Sequence, residues 1–106
     1  MVSGINWVAS NSGNGPAVAT LSLGADVSST LDNAIVNLIN SGVTTTVAAG
    51  NDNDDASGTS PARVSAAITV GAVTISDAKA SYSNYGSVLD VWAPGMQRPL
   101  AVLKVT

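Results

Sequence analysis

The chain has 106 residues, 45% of them apolar and only 10% charged, a balance that suits one modest globular domain and excludes a disordered tail. Its net charge of −3 comes with four basic residues scattered singly, Arg63, Lys79, Arg98 and Lys104, so no nucleic-acid partner is expected. Cysteine and histidine are both absent, which removes thiol nucleophiles, disulfides and any Ser-His-Asp or Cys-His arrangement from the chemistry this chain can assemble.

Neither a membrane span nor a secretion leader is expected from the apolar runs. Val2, Ile5, Val8 and Ala9 recur at helical spacing and predict a helix that begins at Met1 without a capping residue. Residues 11–16 are dense in turn chemistry, and residues 17–23 read as a short buried strand closed by Gly24. The period then changes. Leu31, Ala34, Ile35, Leu38 and Ile39 form one apolar stripe, which predicts a helix over residues 28–41. Ser28 or Ser29 is its expected N-cap, Asp32 stands three residues after Ser29 as in a capping box, and Gly42 supplies a left-handed C-terminal cap. Residues 44–49 follow as a β-branched strand, so residues 17–49 make a strand-helix-strand unit with a right-handed crossover and parallel strands.

That strand ends in Val47-Ala48-Ala49-Gly50-Asn51 and delivers an amide to the rim of the sheet, where ligands bind in open α/β folds. Asn51 either turns the chain or aims its side-chain N–H at developing negative charge, as an oxyanion-hole donor does. Asp52, Asp54 and Asp55 follow, but an Asp-x-Asp-Asp spacing without a later glutamate does not match a calcium-binding EF-hand and reads as a solvated loop. Residues 68–73 predict another strand, residues 81–87 a polar aromatic turn, and residues 88–93 a last strand holding Asp90 and closed by Pro94-Gly95. A carboxylate inside an apolar strand needs a partner, either backbone N–H groups or a cation. The expected architecture is three-layer α/β, with parallel strands near 17–23, 44–49 and 68–73 and the helix against the sheet.

Eight collinear motifs make the chain resemble the central part of the subtilisin-like serine proteases, in particular the proteinase K-like branch. They are Ile5-Asn6-Trp7-Val8, Ala17-Val18-Ala19 leading into Ser22-Leu23-Gly24, Leu31-Asp32-Asn33-Ala34, Val47-Ala48-Ala49-Gly50-Asn51-Asp52-Asn53, Ser60-Pro61-Ala62-Arg63-Val64, Ile68-Thr69-Val70-Gly71-Ala72, Ser83-Asn84-Tyr85-Gly86-Ser87 and Asp90-Val91-Trp92-Ala93-Pro94-Gly95. The resemblance implies a subtilisin-like parallel sheet with flanking helices, a partial domain over residues 1–95 and an unrelated tail over residues 96–106. It implies that Asn51 is the oxyanion-hole donor and that Ser22, Leu23 and Gly24 form the extended edge that pairs with a peptide or protein substrate. Ala48, Ala49 and Gly50 would line the pocket for a large apolar or aromatic side chain. Asp90, with backbone carbonyls of Ser65 and Ala67, matches a Ca²⁺ site of that branch. Secretion is implied as well.

The departures from the family concern catalysis. The family's catalytic Asp and His lie in segments before the first matched motif, and its nucleophilic serine lies in a Gly-Thr-Ser-Met run after the position of Pro94-Gly95, where this chain reads Met96-Gln97-Arg98-Pro99. The disulfide that some relatives carry at the positions of Ser57 and Val88 is also missing. Two readings follow: an internal fragment of a serine endopeptidase, a hydrolase that works by acyl-enzyme chemistry, or a non-catalytic α/β module that at most binds peptide or calcium. A Ser-Lys dyad using Lys79 or Lys104 is a further arrangement the composition permits. Because a sheet cut from a larger domain leaves apolar faces and open edges, self-association is expected.

Overall fold

The computed structural model describes residues 1–13 and 15–95. In chain order these form α1 (Val2–Asn11), β1 (Ala17–Leu21), β2 (Ala25–Asp26), α2 (Ser29–Asn40), β3 (Val43–Ala48), β4 (Thr59–Ser60), β5 (Ile68–Val73) and β6 (Val91–Pro94), with a single 3₁₀ turn at Ala56–Gly58. The expected tail over residues 96–106 lies outside the described residues. No described helix is long and apolar enough to cross a membrane.

Four strands build one parallel sheet in the order β1-β3-β5-β6. Ala17 pairs with Val43 and Leu21 with Val47, so α2 is the crossover between two parallel neighbours, as the change of period at Ser28 predicts. Along β3 the residues alternate: Val43, Thr45 and Val47 are buried, and Thr44 on the opposite face is exposed. The buried face meets both helices. Ile5 of α1, Leu31, Ala34, Ile35 and Leu38 of α2, and Val43 and Val47 of β3 form one core together with Val64 and Ala67. Ile35 and Leu38 are almost wholly removed from water, each burial contributing about 1.5–3 kcal/mol. The other face carries Val18, Thr44 and Ile68 exposed, with Val18 at 71% of its full accessibility.

Local chemistry sets the helix ends. Ser28 is the N-cap of α2: its hydroxyl oxygen accepts the Leu31 N–H at 3.2 Å. Its own N–H donates to the Ser60 hydroxyl at 2.9 Å, which ties the helix start to β4. Gly42, at φ +100°, turns the chain out of the helix, and its N–H donates to the Ile39 carbonyl at 3.0 Å. With the cap at Ser28, Asp32 falls one residue beyond the capping-box position, and its carboxylate instead accepts the Arg63 guanidinium N–H from the loop before β5. The capping-box expectation for Asp32 is thereby corrected.

Two further differences have physical causes. The short antiparallel pair β2 and β4, matching Ala25 with Ser60 and Asp26 with Thr59, has two residues per strand and so leaves no periodicity to read. The last strand begins at Val91 rather than Val88. Asp90 therefore precedes the strand and is exposed, which corrects the reading of it as a carboxylate within an apolar strand.

Candidate functional site

The site lies at the C-terminal ends of β1, β3 and β5, where parallel strands hand over to loops. From the end of β3 the Ala49 N–H donates to Val70 O at 2.9 Å, so pairing with β5 continues one residue past the strand. Gly50 then turns at φ +108°, a left-handed conformation that a side chain disfavours. Space forbids one as well, since a Cβ on Gly50 would sit 2.3 Å from the side-chain nitrogen of Asn84. Asn51 emerges exposed at the rim.

Two clefts meet at Asn51. One, of about 540 Å³, runs between the segment Ser22, Leu23, Gly24 and the segment Ala48, Gly50, Asn51, with Asp26 and Thr59 at its far side. The other, of about 420 Å³, is shared by Ser22, Ala48, Ala49, Asn51, Ala72 and Ser83, and by Gly95. There the Tyr82 hydroxyl donates to the Gly95 carbonyl at 2.6 Å. The structure thus brings together every residue expected to touch substrate: Ser22, Leu23 and Gly24 face Ala48 and Gly50 across the first cleft, and Ala49 lines the second. At the end of β3 the first cleft is lined by the small residues Ala48 and Gly50, with Asn51, Asp52, Asp54 and Asp55 following along its wall.

Two carboxylates of the acidic loop accept hydrogen bonds from its own backbone. Asp54 accepts the Asp55 N–H at 2.8 Å, and Asp55 accepts the Ser57 N–H at 2.9 Å to cap the 3₁₀ turn. These hydrogen bonds from Ser57, backbone first and hydroxyl second, hold the Asp55 carboxyl below its usual value. Among the described residues no three acidic, His or Cys side chains are grouped to hold a metal. Asp90 stands apart, at the opposite end of β5. One carboxylate oxygen accepts the Thr69 N–H at 2.8 Å while the Asp90 N–H donates to the Thr69 carbonyl at 2.9 Å, so the strand and the carboxylate are mutually fixed. Its other oxygen has no hydrogen-bond partner among the described residues. Ser65 is exposed and Ala67 is buried in the adjoining loop.

Lys79 does not build a dyad. Its ammonium donates to the Asn53 side-chain oxygen at 2.8 Å and the Ala80 carbonyl at 3.0 Å and lies 5.6 Å from the centre of the Tyr85 ring, with no serine among these partners. Lys104 lies outside the described residues.

One residue at the site was missed by the sequence reading. Asn84, inside what reads as a polar aromatic turn, is fully buried, and its side chain reaches back to the loop that carries Asn51. Its partners lie 30 to 35 positions away in sequence, so no local pattern announces it. The only hint is that an amide flanked by Ser83 and Tyr85 has more hydrogen-bonding capacity than a surface turn requires.

With this geometry in hand, comparison with known proteins is informative. The family model described as the subtilase family matches residues 1–105. The chain is 57% identical over 95 residues to an extracellular serine proteinase of Thermus sp. (strain Rt41A), a match covering 90% of this chain and 23% of that protein. It is 50% identical over 97 residues to alkaline serine exoprotease A of Vibrio alginolyticus, covering 92% of this chain and 18% of that protein. A crystal structure of a cold-adapted subtilisin-like serine proteinase superposes with a TM-score of 0.87 at 52% identity, covering 91% of this chain and 35% of that one. The chain therefore spans about a quarter of the length of the curated relatives it matches.

Proposed function

Because the chain belongs to the subtilase family, we propose that it forms one side of the substrate cleft of a secreted serine endopeptidase, with Asn51 as the side-chain donor to the oxyanion. The observation that carries this reading is the shared rim. Asn51 borders the same cleft as Ser22, Leu23, Gly24, Ala48 and Gly50, at the loop edge of a parallel sheet. When an alcohol attacks a peptide carbonyl, the C=O electron pair moves onto oxygen, and an amide N–H fixed at the rim stabilises that charge more than it stabilises the planar carbonyl. Ser22, Leu23 and Gly24 offer backbone groups to an extended peptide, and the small residues at 48–50 leave room for a large apolar or aromatic side chain.

The chain alone lacks the rest of the reaction. It contains no imidazole, so a Ser-His-Asp triad cannot be assembled from these 106 residues alone. This absence favours the second reading for the isolated polypeptide, an α/β module that binds peptide without cleaving it. Secretion is carried over from relatives such as the Thermus enzyme, whose name calls it extracellular. A structural Ca²⁺ would be held by Asp90 and the carbonyls of Ser65 and Ala67. In support, the free oxygen of Asp90 belongs to a hard, oxygen-only donor set of the kind that suits Ca²⁺. The open sheet face bearing Val18 and Ile68 supports self-association of the isolated chain.

A titration of the ¹⁵N-labelled chain with a short peptide ending in phenylalanine tests the cleft. Backbone shifts at Ser22, Leu23, Gly24, Ala48 and Gly50, together with a shift of the Asn51 side-chain amide, are expected. Saturating peptide that leaves these signals in place, or moves signals only elsewhere, would overturn the reading.

A further inference from the structure

We infer that Asn84 is the positioning residue that sets the direction of Asn51, an assignment that rests on the reading of Asn51 as a donor to substrate. The side chain of Asn84 is wholly buried, and every one of its strong bonds goes to a residue flanking Asn51. Its side-chain oxygen accepts the Asp52 N–H at 2.9 Å and the Asp54 N–H at 3.0 Å. Its side-chain nitrogen donates to the Ala49 carbonyl at 2.9 Å and lies 3.5 Å from the Thr59 hydroxyl. Its backbone N–H donates to the Gly50 carbonyl at 2.9 Å. Residues 49, 50, 52 and 54 are thus all tied to Asn84, three through its side-chain amide and Gly50 through its backbone N–H, while Asn51 between them makes no such bond.

The chemistry required is specific to an amide. The oxygen must accept two N–H groups at once while a second atom of the same side chain donates to a carbonyl; a hydroxyl has only one atom for both tasks, and an ionised carboxylate has no donor. Asn84 is in turn anchored to the sheet: the Ser83 hydroxyl donates to the Asn84 carbonyl at 2.9 Å and accepts the Ala72 N–H of β5 at 3.0 Å. Gly50 completes the fit from the other side, because any Cβ there would occupy the place of the Asn84 side-chain nitrogen. Asn51 itself makes no side-chain hydrogen bond among the described residues, so the backbone on either side of it is what sets its aim.

The test uses hydrogen exchange and the Asn51 side-chain amide signal in the full chain. Asn84→Ala is expected to speed exchange at Asp52 and Asp54 by about tenfold or more beyond any change at Val70 in β5, and to abolish the response of the Asn51 side chain to the phenylalanine-ended peptide. Equal acceleration at all three amides would reduce Asn84 to a general stabiliser and overturn the assignment. So would unchanged exchange at Asp52 and Asp54. If Asn84→Ala does not fold, Asn84→Asp serves instead. Its buried carboxyl, when protonated, both accepts and donates as the amide does, so acidification should restore protection at Asp52 and Asp54 relative to the same acidification of the wild-type chain, which carries the same neighbouring charges of Asp52, Asp54, Asp55 and Lys79. Failure of that rescue in a folded Asn84→Asp chain also overturns the assignment. Because exchange reports on the loop irrespective of substrate, failure of the wild-type Asn51 to respond to peptide would overturn the donor reading by a separate measurement.

Discussion

Removing the Arg63 guanidinium should destabilise the chain more than neutralising its partner Asp32, although both changes break the same ion pair. The asymmetry follows from burial: the Asp32 side chain is 13% exposed and that of Arg63 is 33% exposed. One carboxylate oxygen of Asp32 accepts the Arg63 N–H, and the other is already buried without a hydrogen-bond partner among the described residues. In Arg63→Met the aliphatic stem still packs against its surroundings, but a carboxylate is left between α2 and the 61–67 loop with no donor on either oxygen. Losing one member of a fully buried pair costs about 3–5 kcal/mol, and water reaching the one-third exposed arginine site lowers the expectation here to about 2 kcal/mol. In Asp32→Asn the carbonyl oxygen still accepts the Arg63 N–H while the guanidinium turns its open side to solvent, so the expected cost is about 1 kcal/mol. The double change Asp32→Leu/Arg63→Met should recover most of the loss, because it removes both desolvation penalties. Urea unfolding followed by circular dichroism, compared at constant slope, measures these differences. An Arg63→Met chain no less stable than Asp32→Asn would refute the reasoning.

Other perturbations read different parts of the molecule. Gly50→Ala should lower stability by about 2 kcal/mol or more, because it combines a left-handed backbone with a Cβ 2.3 Å from the Asn84 nitrogen; a loss under about 0.5 kcal/mol in urea unfolding would show that the loop relaxes freely. Asp55 has a folded-state pKa below its unfolded one, so the contribution of its cap is present above the unfolded value and is lost as pH falls through the depressed folded value. The Ser57 amide shift should accordingly titrate with a midpoint below that of an ordinary aspartate and stay flat in Asp55→Asn; a midpoint at or above the ordinary value counts against the cap. If Ca²⁺ binds at Asp90, calcium should raise the melting temperature and magnesium should do so little, with the response lost in Asp90→Asn and kept in Asp54→Asn. The reverse pattern would move the ion to the acidic loop.

Much of the scaffold was legible because it is written in periodicity. The stripe of Leu31, Ala34, Ile35 and Leu38 and the β-branched run leading to Val47 fix α2 and β3, and the helical crossover between the strands fixes their parallel sense. The location of Asn51 was legible for the same reason, since an apolar strand that ends in Gly-Asn has only the sheet rim to go to. What the sequence concealed were bonds between distant segments. Asp32 looked like a local cap because its partner, Arg63, is 31 positions away, and Asn84 looked like a turn because its partners lie on the far side of β5. Asp90 was read one element too deep: the apolar run around it suggested a strand, whereas pairing with β5 begins only at Val91.

The reach of Asn84 across the chain also bears on the order in which the molecule assembles. The unit β1-α2-β3 closes through contacts near in sequence and needs nothing beyond residue 48, while the bonds that hold the Asn51 loop are complete only once residues 83 and 84 have docked on β5. During synthesis from the N-terminus, a gap of more than thirty residues separates the appearance of Asn51 from the arrival of the amide that steadies it. The rim is therefore expected to become rigid after β1, α2 and β3 and, by the same loop-closure entropy, to be among the first parts to open when the fold is stressed. If the cleft binds extended peptide as proposed, such an order would keep it from engaging the chain's own unfolded segments until the surrounding chain is in place.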